Sequence, residues 1–401
     1  MPPDGDQPRN VKELLVEAKD VSELMVDLAY AAVFFNDEAL AEEVEVLEER
    51  LDTYLRRLRE IAMLAARSPE DAEGMAGVLQ IGVAIEKMGE AASDIARVVQ
   101  AKLGIPDVLR PDLRHADEIV GRVRVREGAS CVGRSLGELM LPRETGMWLL
   151  AIRRGTEWEF DPQADSVISE GDVLLYQGPE EGMNLIRDVA GAPALPEPPV
   201  TEMPPLTELD RAVDILIEMK NAAEVAVGLA YSSLIFNDPA LAAEVATLES
   251  RSDILHDELE SWVLKAAPEA RNPDELRGLL RLGDATERIF DAARDMTWLV
   301  ERGEELHPVI RMALEETEEV AAQTVVEEGS RADGRSLGEL SLETETGMFV
   351  LAVQRGRRWI YQPRPGLELR SGDRVISIGP EEGIEELEGL CRAPVAVAEE
   401  G

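Results

Sequence analysis

The chain has few of the residues on which disulfide-rich folds and most catalytic sites depend. Its two cysteines, Cys131 and Cys391, fall at different places in the sequence pattern, so neither a disulfide framework nor a cysteine-based metal site is expected. There are three histidines, and no G-x-S-x-G, P-loop or H-E-x-x-H motif occurs. These shortages argue against an enzyme.

Long apolar runs are missing as well. No stretch approaches the run of about 18 uncharged apolar residues that a membrane helix needs. The N-terminus has neither the basic nor the apolar region of a signal peptide. We therefore expect a cytoplasmic protein that is neither secreted nor membrane-spanning.

Basic residues are scarce, and lysines most of all. Acids outnumber bases by 81 to 41, which gives a net charge of −40. Nucleic-acid binding requires clustered Lys and Arg that displace counterions from phosphates, so this composition argues against it. The few lysines and many acids are typical of a concentrated-salt cytoplasm, where screening weakens charge repulsion. The 45% apolar content still predicts well-formed hydrophobic cores.

A duplication with an offset of 201 residues organises the chain. LAYAAVFFND at 28–37 matches LAYSSLIFND at 229–238, and VGRSLGEL at 132–139 matches DGRSLGEL at 333–340. TGMWLLAIRRG at 145–155 matches TGMFVLAVQRG at 346–356 in the same way. Because the register is kept without a gap, we predict two copies of one unit. Six prolines within 192–206 predict an extended spacer between them.

The hydrophobic period changes partway along each copy. Apolar residues at helical spacing, such as Leu40, Val44 and Leu47, predict three long helices at 11–35, 38–66 and 70–101. Alternation around Val120 and Val123 then predicts strands with short helices between them. The predicted fold class is α+β, with two antiparallel three-helix bundles and two small α/β domains. The predicted boundaries are 11–104 and 209–305 for the bundles, 116–190 and 317–391 for the α/β domains, and 191–208 for a proline-rich linker.

The α/β segments resemble the TrkA-C domain, also called the RCK C-terminal domain, of regulatory subunits of potassium channels and transporters. The resemblance rests on GRSLGEL, TGMWLLAIRRG, Pro162 and EGDVLLYQG, with counterparts in the second copy. The helical segments resemble halves of a PhoU domain in helix number, in the LAYxxxxFND helix boundary and in the spacing of acids. The chain lacks the G-x-G-x-x-G fingerprint of the Rossmann domain that usually precedes TrkA-C, so that domain's nucleotide site is not carried over.

These resemblances imply a cytoplasmic regulator of potassium or other cation transport. They imply a membrane transporter or channel as its partner, and a homodimer or an intrachain pseudo-dimer as its assembly. The alternative is a PhoU-like metal-binding adaptor in phosphate or metal homeostasis, in which the TrkA-C domains serve only for dimerisation.

The TrkA-C resemblance implies a ligand site, because such domains pair about a two-fold axis and in some relatives the cleft between them binds cyclic di-AMP. Such a ligand needs apolar or aromatic surfaces for its bases and guanidinium groups for its phosphates. The alternative is that the aromatic residues pack in the core and the arginines pair with acids. The matching residues are Met147, Trp148, Arg153, Arg154, Met348, Phe349 and Arg355.

The PhoU resemblance implies a second kind of site, since PhoU domains often carry E/D-x-x-x-D motifs that bind metal clusters. The i, i+4 spacing places each acidic pair on one helix face, where carboxylates could hold a divalent cation. The alternative is a solvated acidic face, because acids are so abundant that such pairs arise by chance. The matching residues are Glu48, Asp52, Glu90, Asp94, Glu249, Asp253, Asp291 and Asp295.

Overall fold

The computed structural model describes residues 10–103, 118–155, 157–195, 207–268, 272–304 and 306–393. One compact unit contains both helical segments, and a second contains both α/β segments. The predicted bundle end at residue 104, the start at 116 and most of the predicted linker lie outside the described residues. Among the helices that are described, none has the length and apolarity that a membrane span requires.

Three long helices form the first bundle, and their ends agree with the predicted ones within one residue. They are α1 (Val11–Phe35), α2 (Glu38–Ala65) and α3 (Pro69–Gln100). Asn36 ends α1 in the left-handed conformation, and the Asp37 side chain accepts from the Ala39 backbone N–H to start α2. The predicted stripe on α2, which includes Leu40, Val44 and Leu47, is buried.

The first α/β domain is a four-stranded antiparallel sheet with short helices. Its strand order is β1-β4-β2-β3, so the first strand pairs with the last. The strand at 157–160 and the helical turn at 141–145 were not predicted. The elements are β1 (Glu118–Arg124), α4 (Leu136–Leu139), α5 (Leu141–Thr145), β2 (Trp148–Arg154), β3 (Glu157–Phe160), β4 (Val173–Pro179) and α6 (Met183–Val189).

The second copy repeats the elements described for the first copy and has one helix, at 308–314, whose counterpart positions in the first copy lie outside the described residues. The predicted fold class is confirmed. Its sheet has the corresponding strand order, β5-β8-β6-β7. The helical elements are α7 (Glu208–Phe236), α8 (Pro239–Ala266), α9 (Pro273–Glu301) and α10 (Pro308–Leu314). The remaining elements are β5 (Val320–Val325), α11 (Leu337–Leu340), α12 (Leu342–Thr346), β6 (Phe349–Arg355), β7 (Arg358–Tyr361), β8 (Arg374–Gly379) and α13 (Glu381–Cys391).

The two bundles pack against each other through a pseudo-two-fold interface within the helical unit. Lys19 of α1 lies 5.1 Å from the ring centroid of Tyr231 in α7, and Lys220 of α7 lies 5.6 Å from that of Tyr30 in α1. The residue numbers in each contact differ from their counterparts by 201. Both lysines are buried, at 3% and 5% exposure. Each forms an ion pair with a glutamate one turn further along its own helix, Glu23 and Glu224.

One pair of facing core residues differs in size between the two sheets, and the two changes offset each other. In the first copy Gly121 of β1 lies opposite Tyr176 of β4, and a Cβ on Gly121 would lie 2.4 Å from the Tyr176 ring. In the second copy the corresponding pair is Ala322 and Ser377. The larger residue of each pair is therefore matched by a smaller partner.

Gly121→Ala is expected to lower the free energy of unfolding by about 1–3 kcal/mol, because the added methyl group overpacks a core that contains Tyr176. Combining it with Tyr176→Ser, which reproduces the pair of the second copy, should cost less than the sum of the two single variants. Urea unfolding of the four proteins measures this coupling.

Gly389→Ala is the matched control, because Gly389 lies in α13 and has open space where its Cβ would be. We expect this variant to be at least as stable as the wild type. Strict additivity in the Gly121 and Tyr176 cycle would contradict the proposed compensation.

Candidate functional site

The two α/β domains pair with each other through α5 and α12. A Cβ on Gly146 would lie 3.3 Å from the carbonyl oxygen of Glu343, and one on Gly347 would lie 2.8 Å from that of Pro142. These two contacts are related by the offset of 201, so the pairing is a pseudo-two-fold. Both glycines have φ near +70°, at 73° and 71°, and the left-handed conformation together with the close approach favours glycine. Arg143 and Glu386 add one ion pair of 3.0 Å that has no counterpart.

The predicted ligand residues occupy different environments in this unit. Met147 and Met348 are fully buried in the two domain cores, so in this structure they offer a ligand no surface. Trp148 and Phe349 are half-buried at the starts of β2 and β6. Arg153 is also half-buried, and its guanidinium lies 5.4 Å from the ring centroid of Trp158.

Arg154 instead holds a buried carboxylate. Its Nε and Nη2 donate to Asp172 at 3.1 and 2.9 Å, and Nη2 also donates to the backbone oxygen of Val167 at 3.0 Å. Asp172 is only 1% exposed and accepts a further bond from the Ser169 backbone N–H. These bonds raise the pKa of Arg154 above its ordinary value. The side chain therefore ties the end of β2 to the turn before β4.

The second copy repeats this clamp with its own residues. Arg355 donates to Asp373 at 2.8 and 2.6 Å and to the backbone oxygen of Glu368 at 2.7 Å. The hydrogen bonds to Asp373 likewise raise the pKa of Arg355. Arg154 and Arg355 thus pair with acids, as the alternative interpretation expects. Their role in ligand binding stays a prediction.

Arg154→Ala is expected to lower the free energy of unfolding by about 2 kcal/mol, because it removes charge-assisted bonds to a buried carboxylate. Adding Asp172→Asn should recover part of that loss, since no buried charge remains. Arg357→Ala is the control, because Arg357 is an exposed arginine in the turn between β6 and β7. Equal stability of Arg154→Ala and Arg357→Ala would contradict the clamp.

In the helical unit, basic side chains lie among the predicted metal residues. Asp94 of α3 accepts from Arg288 of α9 and from Arg97, which also reaches Glu48 at 3.6 Å. Asp295 of α9 pairs in the symmetry-related position with Lys87 of α3 at 2.5 Å. Two of the eight predicted metal residues, Asp94 and Asp295, therefore form ion pairs between the two bundles.

The described residues contain no group of three or more His, Cys, Asp or Glu side chains arranged to hold a metal ion. The metal-binding role of Glu48, Asp52, Glu90, Asp94, Glu249, Asp253, Asp291 and Asp295 stays a prediction.

Negative charge is crowded on the second bundle around Glu287. Burial raises the pKa of Glu287, and the carboxylates of Asp291, Asp253 and Asp284 add to this effect against the attraction of His256. His256 lies between two of these acids, with Nε2 3.0 Å from Asp284 and Nδ1 3.3 Å from Glu287. Sequence reasoning missed this histidine, because the first copy has Leu55 at the corresponding position.

Asp94→Asn is expected to lower the midpoint of thermal unfolding, Tm, at neutral pH. Burial alone would raise the pKa of Asp94, but hydrogen bonds and charge attraction from Arg288 and Arg97 lower it below the ordinary 3.8. The ionised carboxylate therefore stabilises the fold at neutral pH, and this stabilisation is lost as the pH falls through the folded-state pKa. Calorimetry from neutral to acidic pH should show the difference in Tm fading in acid.

Asp291→Asn is the matched variant, for which we expect a change in Tm of the opposite sign. Burial raises the pKa of Asp291, and the carboxylates of Asp295 and Asp253 reinforce this against the attraction of Lys87. Its ionised form costs stability at neutral pH, so asparagine should raise Tm there and have no effect where the acid is protonated. Shifts of the same sign in both variants would contradict this electrostatic account.

Comparison with known families follows the division into two kinds of domain. The TrkA-C domain model matches residues 120–191 and 322–392. The PhoU domain model matches residues 15–99 and 216–298. The two kinds of match alternate along the chain, so each copy consists of one PhoU match followed by one TrkA-C match.

Individual relatives match only part of this chain, or match it at low sequence identity. The chain is 31% identical over 100 residues to the K(+)/H(+) antiporter subunit KhtT of Bacillus subtilis (strain 168), a stretch that is 24% of this chain and 61% of that protein. The chain therefore matches less than two thirds of the length of this relative.

Two solved structures are also similar. The RCK_C domain dimer of S. agalactiae BusR in complex with c-di-AMP is 26% identical, with 18% of this chain and 95% of that chain covered and a TM-score of 0.18. PhoU from Pseudomonas aeruginosa is 16% identical, with 72% of this chain and 93% of that chain covered and a TM-score of 0.38.

Proposed function

Because the chain is built from two PhoU domains and two TrkA-C domains in tandem, we propose that it is a regulatory protein of potassium or other cation transport. The observation that carries the proposal is the presence of two TrkA-C domains that pair within one chain. The similarity to KhtT, a subunit of a K(+)/H(+) antiporter, supports potassium as the transported ion. The proposal assigns the chain a cytoplasmic location and no catalytic step.

In this proposal the TrkA-C pair senses a small ligand and the helical unit relays the signal to a membrane transporter or channel. A ligand that binds one arrangement of the pair more tightly than another shifts the population toward that arrangement. The chain alternates between helical and α/β segments along its length, so it passes between the two units three times.

Cyclic di-AMP is the proposed ligand. Arg153, Trp148 and Phe349 remain available for contacts with phosphates and bases, since they are not fully buried. Isothermal titration of the purified chain with cyclic di-AMP tests this step by itself. A saturable heat of binding would support cyclic di-AMP as the ligand. If the titration gives no heat of binding, cyclic di-AMP is removed from the proposal.

Cells that lack the gene are expected to show altered rubidium flux and altered internal potassium, and the wild-type gene should restore both. Arg143→Glu should restore them poorly, because it places two carboxylates together at the contact with Glu386. The double variant Arg143→Glu/Glu386→Arg reverses the ion pair and should regain function.

Rubidium flux measured over a range of external potassium is the decisive readout. Identical flux in the deletion strain and the wild type at every potassium concentration would overturn the proposed transport role. The double variant Arg143→Glu/Glu386→Arg controls for loss of folding in Arg143→Glu. It differs from the single variant only in restoring the attraction between the two domains.

A further inference from the structure

The C-terminal half of α2 carries more positive charge than is usual for this chain. Residues 56–60 contain three arginines and one glutamate, although the whole chain has a net charge of −40. Arg56, Met63 and Leu64 share one face of the helix, because the second and third follow the first by seven and eight residues. All three are exposed, with Met63 at 67% and Leu64 at 79%. The basic surface, as we call it, consists of Arg56, Arg57, Arg59, Met63 and Leu64.

The arginines of the basic surface differ in how far they are already paired. Arg59 forms an ion pair with Glu86 of α3, so part of its charge is compensated within the bundle. Arg56 is exposed and forms no hydrogen bond or ion pair with any described residue. A partner that approaches this face therefore meets the Arg56 guanidinium directly, with two exposed apolar side chains about two turns further along the helix.

The equivalent face of α8 in the second copy has the opposite charge. Each of the three arginines is replaced there by an acid at the position 201 residues later. The three acids are exposed, and none of them forms a hydrogen bond or ion pair with a described residue. Ile254 before them and Leu264 after them are 61% and 69% exposed. The acidic surface, as we call it, consists of Ile254, Asp257, Glu258, Glu260 and Leu264.

Both surfaces lie on the outside of the helical unit. The two bundles meet through α3 and α9, whereas α2 and α8 pack against the other two helices of their own bundles. Because the charged and apolar side chains of both surfaces are largely exposed, the two surfaces do not cover each other within one molecule. One chain thus presents two helix faces with opposite charges and with exposed apolar residues on each.

We propose that the basic surface of one molecule binds the acidic surface of a second copy of this chain. Complementary charges steer the two faces together, and the contact removes their exposed apolar side chains from water. Two basic surfaces repel each other, as do two acidic ones, so the contact joins unlike faces of the two molecules. An anionic membrane would account for the basic surface but not for the acidic one. The proposal goes beyond the transport role and does not depend on it.

Sedimentation velocity of the full chain over a range of protein concentrations, at one fixed salt concentration, measures this association. We expect the mass of the wild type to rise above that of a monomer as the concentration rises. The variants Arg56→Asp/Arg57→Glu and Asp257→Arg/Glu258→Arg should each weaken association by about tenfold or more, because each brings like charges together. An equimolar mixture should recover association, since the first variant keeps the acidic surface and the second keeps the basic surface.

The two variants separate this proposal from an effect of total charge. The first variant adds negative charge to the chain and the second removes it, so net charge alone would shift association in opposite directions. We expect a loss in both, and opposite shifts would overturn the proposal. A mixture that stays as weakly associated as each variant by itself would also overturn it.

Arg331→Asp/Arg335→Glu is the matched control, because it adds the same negative charge at two exposed arginines outside both surfaces. Its association should stay close to that of the wild type, and a loss equal to that of Arg56→Asp/Arg57→Glu would count against the proposal. A wild type that is monomeric at every concentration, including one that binds vesicles of anionic lipid instead, would refute it. Neither result would change the outcome of the rubidium-flux experiment.

Discussion

Two buried lysines at the bundle interface set the constraint on which the helical unit depends. Lys19 and Lys220 are almost without exposed surface, and an ammonium group in such a place is costly unless it is paired. Each has a glutamate on its own helix, but the aromatic face that completes its surroundings belongs to the other bundle. Each bundle thus supplies an aromatic ring to the buried lysine of the other, and sliding one bundle past the other would leave both ammonium groups without their tyrosines. Burial raises the pKa of Tyr30 and Tyr231, so both rings stay neutral beside the lysines.

The long helices could be predicted from the sequence because their signals are local and strong. The stripe from Leu40 along α2 and the Asn36-Asp37 boundary each follow from the chemistry of a few neighbouring residues. The strand at 157–160 is short and carries two glutamates, so its alternation was too brief to recognise. The turn at 141–145 is a single helical turn, which has almost no periodicity to detect.

The candidate sites were less predictable, because they depend on contacts between residues that are distant in sequence. Nothing local to Arg154 shows that its partner is Asp172, and nothing near Asp94 shows that Arg288 of the other copy reaches it.

The covalent fusion of the two copies has a consequence for how the protein assembles. Separate subunits that pair through a two-fold contact dissociate on dilution, whereas two halves of one polypeptide face each other at a fixed effective concentration. The contact between Gly146 and Glu343 and its counterpart therefore form as an intramolecular step. The formation of this contact therefore does not depend on how many copies of the protein a cell contains.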